Sequence, residues 1–412
     1  MERVVITGMG AVSALGLGVE KNFQQAVAGI SGIAQLDAKL ALHLSCGVAA
    51  QIKFPLPELL KKSEAPLFDR FSVLAWIAAN EALVQSGLPP DTDPSNDSGV
   101  FWGTATGGTH TLEAGYVDLF VNNKNRLRPL TVVSAMNNAA AGQIAMRAGF
   151  RGTVNTYSTA CVSSAQAIGE AFRHIRHGYA KRIIAGGSEA SLTRGSLAAW
   201  DALRVLASTD AEHPERSCRP FSKNRTGLVL GEGGAALVLE SLLSARARGA
   251  TILAELVGYG TSNDAVHMTK PDPHGQARAM QAALINARLL PSDIGYINAH
   301  GAGTLTGDVA ETESIKQVFC TQANSLIVSS TKGVHGHTLG AAGALEFVLS
   351  ISALRSGTIP PTAFLDQRDP ACDLDMVPMQ SRTISSLHAV MSNSFAFGGS
   401  NVALIGRRFS SD

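Results

Sequence analysis

Charge is scarce in this sequence: Asp, Glu, Lys and Arg make up only 16% of it, 34 basic residues against 33 acidic. That balance supplies neither a basic field for nucleic acid nor a disordered acidic tail, so no nucleic-acid partner is expected. Paired cysteine motifs are missing too. Cys46, Cys161, Cys218, Cys320 and Cys372 are scattered with no CxxC, which argues against a disulfide framework or a zinc knuckle and suits a reducing cytoplasm. No run reaches the roughly 18 uninterrupted apolar residues of a membrane span. The stretch VVITGMGAVSALGLGV after Arg3 reads as a first strand and turn rather than as a signal peptide.

What is present is a chain of 412 residues, 45% hydrophobic, enough for a sizeable core divided into two compact units or built by duplication. β-Branched runs at Val4 to Thr7, Gly99 to Thr104, Arg182 to Gly186 and Ala235 to Leu239 alternate with helical patterns at Leu74 to Gln85 and Ser164 to Ile175. The later chain repeats the theme with Ile252 to Val257, Ile294 to Ala299, Leu326 to Ser330 and Val402 to Ile405, and a helix over Ala342 to Leu354. This is an α/β reading, with halves 1–250 and 251–412. The polar region Arg194 to Arg225 reads as a cover loop.

Cys161, in TVNTYSTACVSSAQAIGEAF, stands between a Thr-rich strand pattern and a helix. A helix N-terminus there would stabilise the attacking thiolate. Alone, such a cysteine is more often a small buried hydrophobe. His300, in YINAHGAGTLTGD, follows a strand directly, and His337 lies in STKGVHGHTLGAAGALEF ahead of a helix carrying Glu346. His335 stays ambiguous, and His43, His110, His174, His177, His213, His274 and His388 read as structural or surface residues. A metal site would want four ligands with local pairs, and no second cysteine is near Cys161. A papain-like site would want CGSCW, which is absent.

Taken together, TACVSS, NAHGAGT, STKGVHGHTLGAAG and SNSFAFGGSN, in this order along the chain, resemble the β-ketoacyl-[acyl carrier protein] synthases, closest to the elongating synthase II type. The resemblance spans essentially the whole sequence. It implies a thiolase-like fold, two related halves in a five-layered αβαβα core. It also implies decarboxylative Claisen condensation of an acyl group on Cys161 with malonyl-acyl carrier protein, giving a β-ketoacyl carrier protein. The family triad falls on Cys161, His300 and His337, and the supporting Lys and Glu fall on Lys332 and Glu346. Asp308 and Glu311 match the acidic pair after the first histidine motif. Phe397 matches the gate residue, whose backbone N–H joins that of Cys161 as oxyanion hole; Thr304 and Phe395 match substrate-binding positions. No bound cofactor or metal is implied, since phosphopantetheine arrives on the acyl carrier protein.

The implied partners are that carrier protein and a second subunit, in a homodimer or a heterodimer with a chain-length-factor-like chain. Lys124, Arg126 and Arg128 are placed in the carrier-docking patch, and Thr106 to Leu112 with Leu130 to Asn138 around the acyl slot. Three positions depart from the family pattern. Ala302 stands where HGTxT has a threonine, Ala396 replaces the first glycine of GFGG and should stiffen the gate, and His335 replaces a small hydroxyl residue. They point toward specialised elongation, such as polyene or polyketide synthesis. A thiolase would carry a second cysteine near the C-terminus, where SNSFAFGGSN has none. A purely structural chain-length partner would lack the nucleophile.

Overall fold

The computed structural model describes residues 1–61, 63–88 and 95–410. Ten strands form its frame: β1 Val4–Ser13, β2 Ser98–Gly103, β3 Val154–Tyr157, β4 Arg182–Glu189, β5 Gly233–Ser241, β6 Ala254–Asn263, β7 Tyr296–Asn298, β8 Ile327–Ser329, β9 Ala389–Phe395 and β10 Ser400–Arg407. In the first half the order across the sheet is β3-β2-β4-β5-β1, and in the second β8-β7-β9-β10-β6. Each half has two parallel contacts followed by two antiparallel ones. The chain therefore runs the same topology twice. The halves are joined edge to edge, Val4–Ile6 of β1 pairing with Ala254–Leu256 of β6, so that with Gly16–Leu17 the path is one eleven-stranded sheet.

The helices repeat as well. Helices α1 Arg70–Gln85, α2 Ala139–Ala148 and α3 Ser163–Arg176 follow β1, β2 and β3, and α4 Pro273–Ala287, α5 Gly307–Phe319 and α6 Ala342–Ser356 follow β6, β7 and β8. Strand alternation sorts them into layers. Ile183, Ala185, Leu237, Leu239, Val402 and Leu404 face the central core with α3 and α6. Ile184, Ala236 and Val238 face α1 and α2, and Met391, Ala403 and Ile405 face α4 and α5. The result is the αβαβα stack that the resemblance implied. The stretch Leu339–Ser356 is long and apolar enough to cross a membrane, but 83% of it is buried here. It is a central-layer helix, apolar all round because strands and helices surround it.

Close packing of the outer helices depends on glycine in both halves. A Cβ on Gly10 would lie 2.0 Å from Ala78 O of α1, and one on Gly260 2.0 Å from Ala279 O of α4. The motifs TGMG and VGYG are thus the same device, strand glycine under an alanine-rich helix.

Candidate active site

Cys161 sits in a single 3₁₀ turn, Ala160–Val162, between β3 and α3. The turn opens on Ala160 at φ 51°, a left-handed conformation costly for a residue with a Cβ. Ser163 closes it, accepting from Thr159 N at 2.9 Å and donating to Ala160 O at 2.6 Å. The helix N-terminus is where the sequence put it, but Cys161 precedes the first helical residue by two, and burial outweighs the favourable field. It pushes the thiol up to about 12; Lys332 pulls it down, while Glu189 and Glu346 push it further up. At neutral pH the resting cysteine is therefore a thiol.

His300 follows β7 in a loop held by the acidic pair. Glu311 accepts from His300 N at 2.8 Å and Gly301 N at 2.7 Å, and Asp308 from Gly303 N at 3.0 Å and Phe221 N at 2.7 Å. Burial raises these carboxyls to about 7 and about 6. Glu311 is bonded chiefly to the backbone of the loop and shapes it, while Asp308 ties the loop to Phe221 N and Arg225 and also lines the cavity.

The two imidazoles lie edge to face, ring centres 5.2 Å apart, and His300 is 6.0 Å from the Phe395 ring. Burial, and then the charge of Lys332, holds both well below the usual histidine range, so both are neutral. Nδ1 of His337 accepts from Leu339 N at 3.1 Å, which places its proton on Nε2. Lys332, a donor only, has Nζ 3.5 Å from Nδ1 of His300 and 2.5 Å from its carbonyl oxygen; the same tautomer follows. Lys332 and Glu346 form a fully buried ion pair. The pair stands behind the histidines and does not line the cavity.

One cavity brings together Cys161, His300, His337, Thr304, Phe395 and Phe397. The N–H of Phe397 has no protein acceptor among the described residues. The site offers a thiol, two Nε2–H donors and a free backbone N–H around one volume, the groups needed for acyl transfer and for stabilising an enolate. His335 resolves as structural: Nδ1 bonds Gly336 O at 2.7 Å and Nε2 bonds Thr331 Oγ1 at 2.9 Å. Ala302 lines the cavity where a hydroxyl was missing from the motif. Among the described residues no group of three or more His, Cys, Asp or Glu is placed to hold a metal.

Other parts were not foreseen. Trp200, on the helix Arg194–Ala202, stacks on Phe397 with ring centres 6.0 Å apart and planes at 25°. Asp264 and His267 to Pro271 line the mouth and are bonded to the turn after Phe397, Gly398 N donating to Met268 O at 2.8 Å and Asp264 N to Gly399 O at 2.8 Å. No motif marks either one; a Trp inside the predicted cover loop was the only available sign. Lys124, Arg126 and Arg128 do not line the Cys161 cavity. Lys124 pairs with Asp118 at 2.8 Å, and Arg128 lines a second hollow with His110 and Thr131.

Comparison with known proteins agrees with this geometry. The family models described as "Beta-ketoacyl synthase, N-terminal domain" and "Beta-ketoacyl synthase, C-terminal domain" match residues 1–245 and 253–366. A 3-oxoacyl-[acyl-carrier-protein] synthase 2 of Staphylococcus aureus is 40% identical over 411 residues, 99% of each chain. The crystal structure of a β-ketoacyl synthase from Burkholderia phymatum superposes with a TM-score of 0.93, at 37% identity over 100% of both chains. The ishigamide ketosynthase/chain length factor superposes with a TM-score of 0.91, at 31% identity over 99% of this chain and 100% of that one.

Proposed function

The chain belongs to the β-ketoacyl synthase family, and from that premise we infer that it joins an acyl group held on Cys161 to malonyl-acyl carrier protein by decarboxylative Claisen condensation. The observation that carries this reading is the single cavity shared by Cys161, His300 and His337, with both imidazoles neutral.

In the first half-reaction Cys161 Sγ adds to the carrier-bound thioester. The proton of Cys161 ends on the departing pantetheine thiol, and the backbone N–H groups of Cys161 and Phe397 stabilise the oxyanion. In the second, malonyl-carrier protein loses CO₂ and the electron pair passes to its thioester oxygen. There the Nε2–H groups of His300 and His337 donate. As neutral donors they stabilise the developing negative charge by hydrogen bonding and keep their protons. The carbanion carbon then attacks the acyl-Cys161 carbonyl, the C–S bond breaks, and the cysteine takes up a proton. Lys332 and Glu346 hold the His300 loop, Thr304 contacts the pantetheine arm, and Phe395 and Phe397 bound the acyl path.

No bound cofactor is required, because the thioester arrives on the carrier protein's phosphopantetheine. The carrier itself follows from the relative whose name includes it. Exposed Arg126 and Arg128, with Lys124, form part of its docking patch. The units are 1–250, with the nucleophile, and 251–412, with both histidines. Five free cysteines suit a cytoplasmic enzyme. A second reading, catalytic subunit of a heterodimer in specialised metabolism, is favoured by the likeness to a ketosynthase/chain length factor.

Intact-protein mass spectrometry tests the assignment. Wild type incubated with acyl-carrier proteins gains the acyl mass and loses it on addition of malonyl-carrier protein, and Cys161→Ala does neither. Normal condensation by Cys161→Ala overturns the mechanism.

A further inference from the structure

Glu189, at the end of β4, is fully buried and has no cationic partner among the described residues. A buried charge without a counter-ion is costly unless hydrogen bonds replace its water. Here they do. The carboxylate accepts from Ala105 N at 2.6 Å, Thr106 Oγ1 at 2.6 Å, Thr106 N at 3.3 Å and Gly340 N at 3.1 Å. Burial raises this carboxyl above the usual range, and these hydrogen bonds oppose that; all of the partners can donate and the three N–H groups can do nothing else, so the nest favours the ionised form.

The internal duplication explains where this nest comes from. The turn Leu339–Ala341 precedes α6 as Ala160–Val162 precedes α3, and each opens on a left-handed residue, Leu339 at φ 47° and Ala160 at φ 51°. Gly340 therefore stands in the second half where Cys161 stands in the first. It can carry no side chain, since a Cβ would lie 2.3 Å from Ala105 N and 2.7 Å from Glu189 Oε2. The second elbow is filled by a carboxylate from the first half.

We propose that Glu189 is a positioning residue, whose carboxylate in the second elbow locks the His337 turn against the loop that begins the acyl slot. One side of the lock is Gly340, whose neighbour Leu339 orients Nδ1 of His337; the other is Ala105 and Thr106. The inference rests on the condensation reading. It also has an electrostatic consequence. The charged groups that bear on Cys161 are Lys332, which favours its thiolate, and Glu189 and Glu346, which oppose it; His300 and His337 are neutral. Removing the charge of Glu189 therefore eases thiolate formation.

The test compares wild type with Glu189→Gln and Thr106→Val in the full-length chain. It follows acylation of Cys161 by intact mass, decarboxylation of malonyl-carrier protein, and iodoacetamide alkylation of Cys161 against pH. Glu189→Gln is expected to acylate within about threefold of wild type, to decarboxylate at least about tenfold more slowly, and to shift its alkylation profile to lower pH. Thr106→Val keeps the charge, so it slows decarboxylation less and leaves the profile in place. Wild-type decarboxylation by Glu189→Gln overturns the proposal, as does a parallel loss of both half-reactions with no movement of the profile. If wild type takes no acyl group at all, the condensation reading fails instead; Glu189 is then judged by alkylation, and an unmoved profile overturns its role.

Discussion

Lys332 donates from Nζ to the carbonyl oxygen of His300 at 2.5 Å while the same ammonium pairs with Glu346. The pair thus ties the first histidine loop to α6, and its removal has two separable effects. Lys332→Ala leaves Glu346 unpaired in the core, where burial raises its carboxyl to about 7 even beside the lysine. It is then buried either as an uncompensated charge or as an acid that must first take up a proton, a loss of about 3–5 kcal/mol in denaturant unfolding at neutral pH or above. Adding Glu346→Gln restores most of that stability. It does not restore decarboxylation, because the support of His300 is still missing. Recovery of both together would show that the pair matters only for folding.

Both imidazoles are neutral and present Nε2–H, so they act as hydrogen-bond donors rather than as cations. His300→Ala and His337→Ala are expected to lose about 10²–10³ in decarboxylation rate, the scale of removing one oxyanion donor. Their pKa values lie well below 6.5, so lowering the pH from 7.5 to 6 does not charge them. Any change in the wild-type decarboxylation rate across that range should come from the buried carboxyls around His300: Glu311 and Glu346 at about 7, and Asp308 at about 6. A titration near 6.5 that persists in Glu311→Gln, Glu346→Gln and Asp308→Asn would show that an imidazolium is involved.

His335 is buried with both ring nitrogens bonded and is held down to about 3, burial being the main cause. A group with a depressed folded pKa stabilises fully above its unfolded value near 6.5, and this stability is lost as pH falls toward 3. Relative to His335→Thr, wild type should therefore lose about 2 kcal/mol between pH 7 and pH 5. Urea unfolding of both proteins at each pH measures the difference, in which all other titrations cancel. A constant gap would mean that His335 takes up its proton in the fold as it does in the unfolded chain.

The chemistry of this site was legible because it depends on residues that also leave local patterns. Cys161, His300 and His337 each sit at a strand end or turn before a helix, and the flanking glycines mark those turns. Glu189 and Trp200 left no such trace. Glu189 ends an ordinary apolar strand, and its partners are backbone N–H groups of Ala105 and Gly340, 84 and 151 residues away. Backbone donors have no sequence signature. Trp200 meets Phe397 only because a helix from the first half crosses the last turn of the second. The duplication was visible in strand alternation, whereas the joining of β1 to β6 was not, since an edge pairing of three residues needs no motif. The thiol of Cys161 shows the same limit from another side: its position could be read, but the balance between burial and helix field could not.

The stack of Trp200 on Phe397 joins two residues that line the cavity with Cys161, and if Phe397 gates that cavity, as the resemblance implies, the stack favours the closed turn. An aromatic pair of this kind contributes about 0.5–1.5 kcal/mol beyond its area. Trp200→Ala should raise the open population, and with it the acylation rate from bulky acyl-carrier proteins, by about 2–12-fold. Acyl chains that pass the closed gate should gain less. Slower acylation with every chain would mean that Trp200 binds substrate and does not latch the gate.

Among the described residues the outer edge of β3 has no strand partner, Val154 on it is exposed, and Val132, Val133 and Met136 are exposed among neighbouring segments. Open edges beside apolar surface invite pairing with another chain. A second copy could add its own β3 there, and Thr156, whose buried hydroxyl has no partner among the described residues, lies on this strand four residues before Ala160. The edge leads straight into the nucleophile turn, so loss of the partner should reach catalysis. Val133→Asp, which places a charge in the apolar patch, is expected to shift the protein to monomer in light scattering and to reduce acylation of Cys161 in parallel. A monomeric wild type that is inactive alone, but active with a chain-length-factor-like subunit, would assign the same edge to a heterodimer.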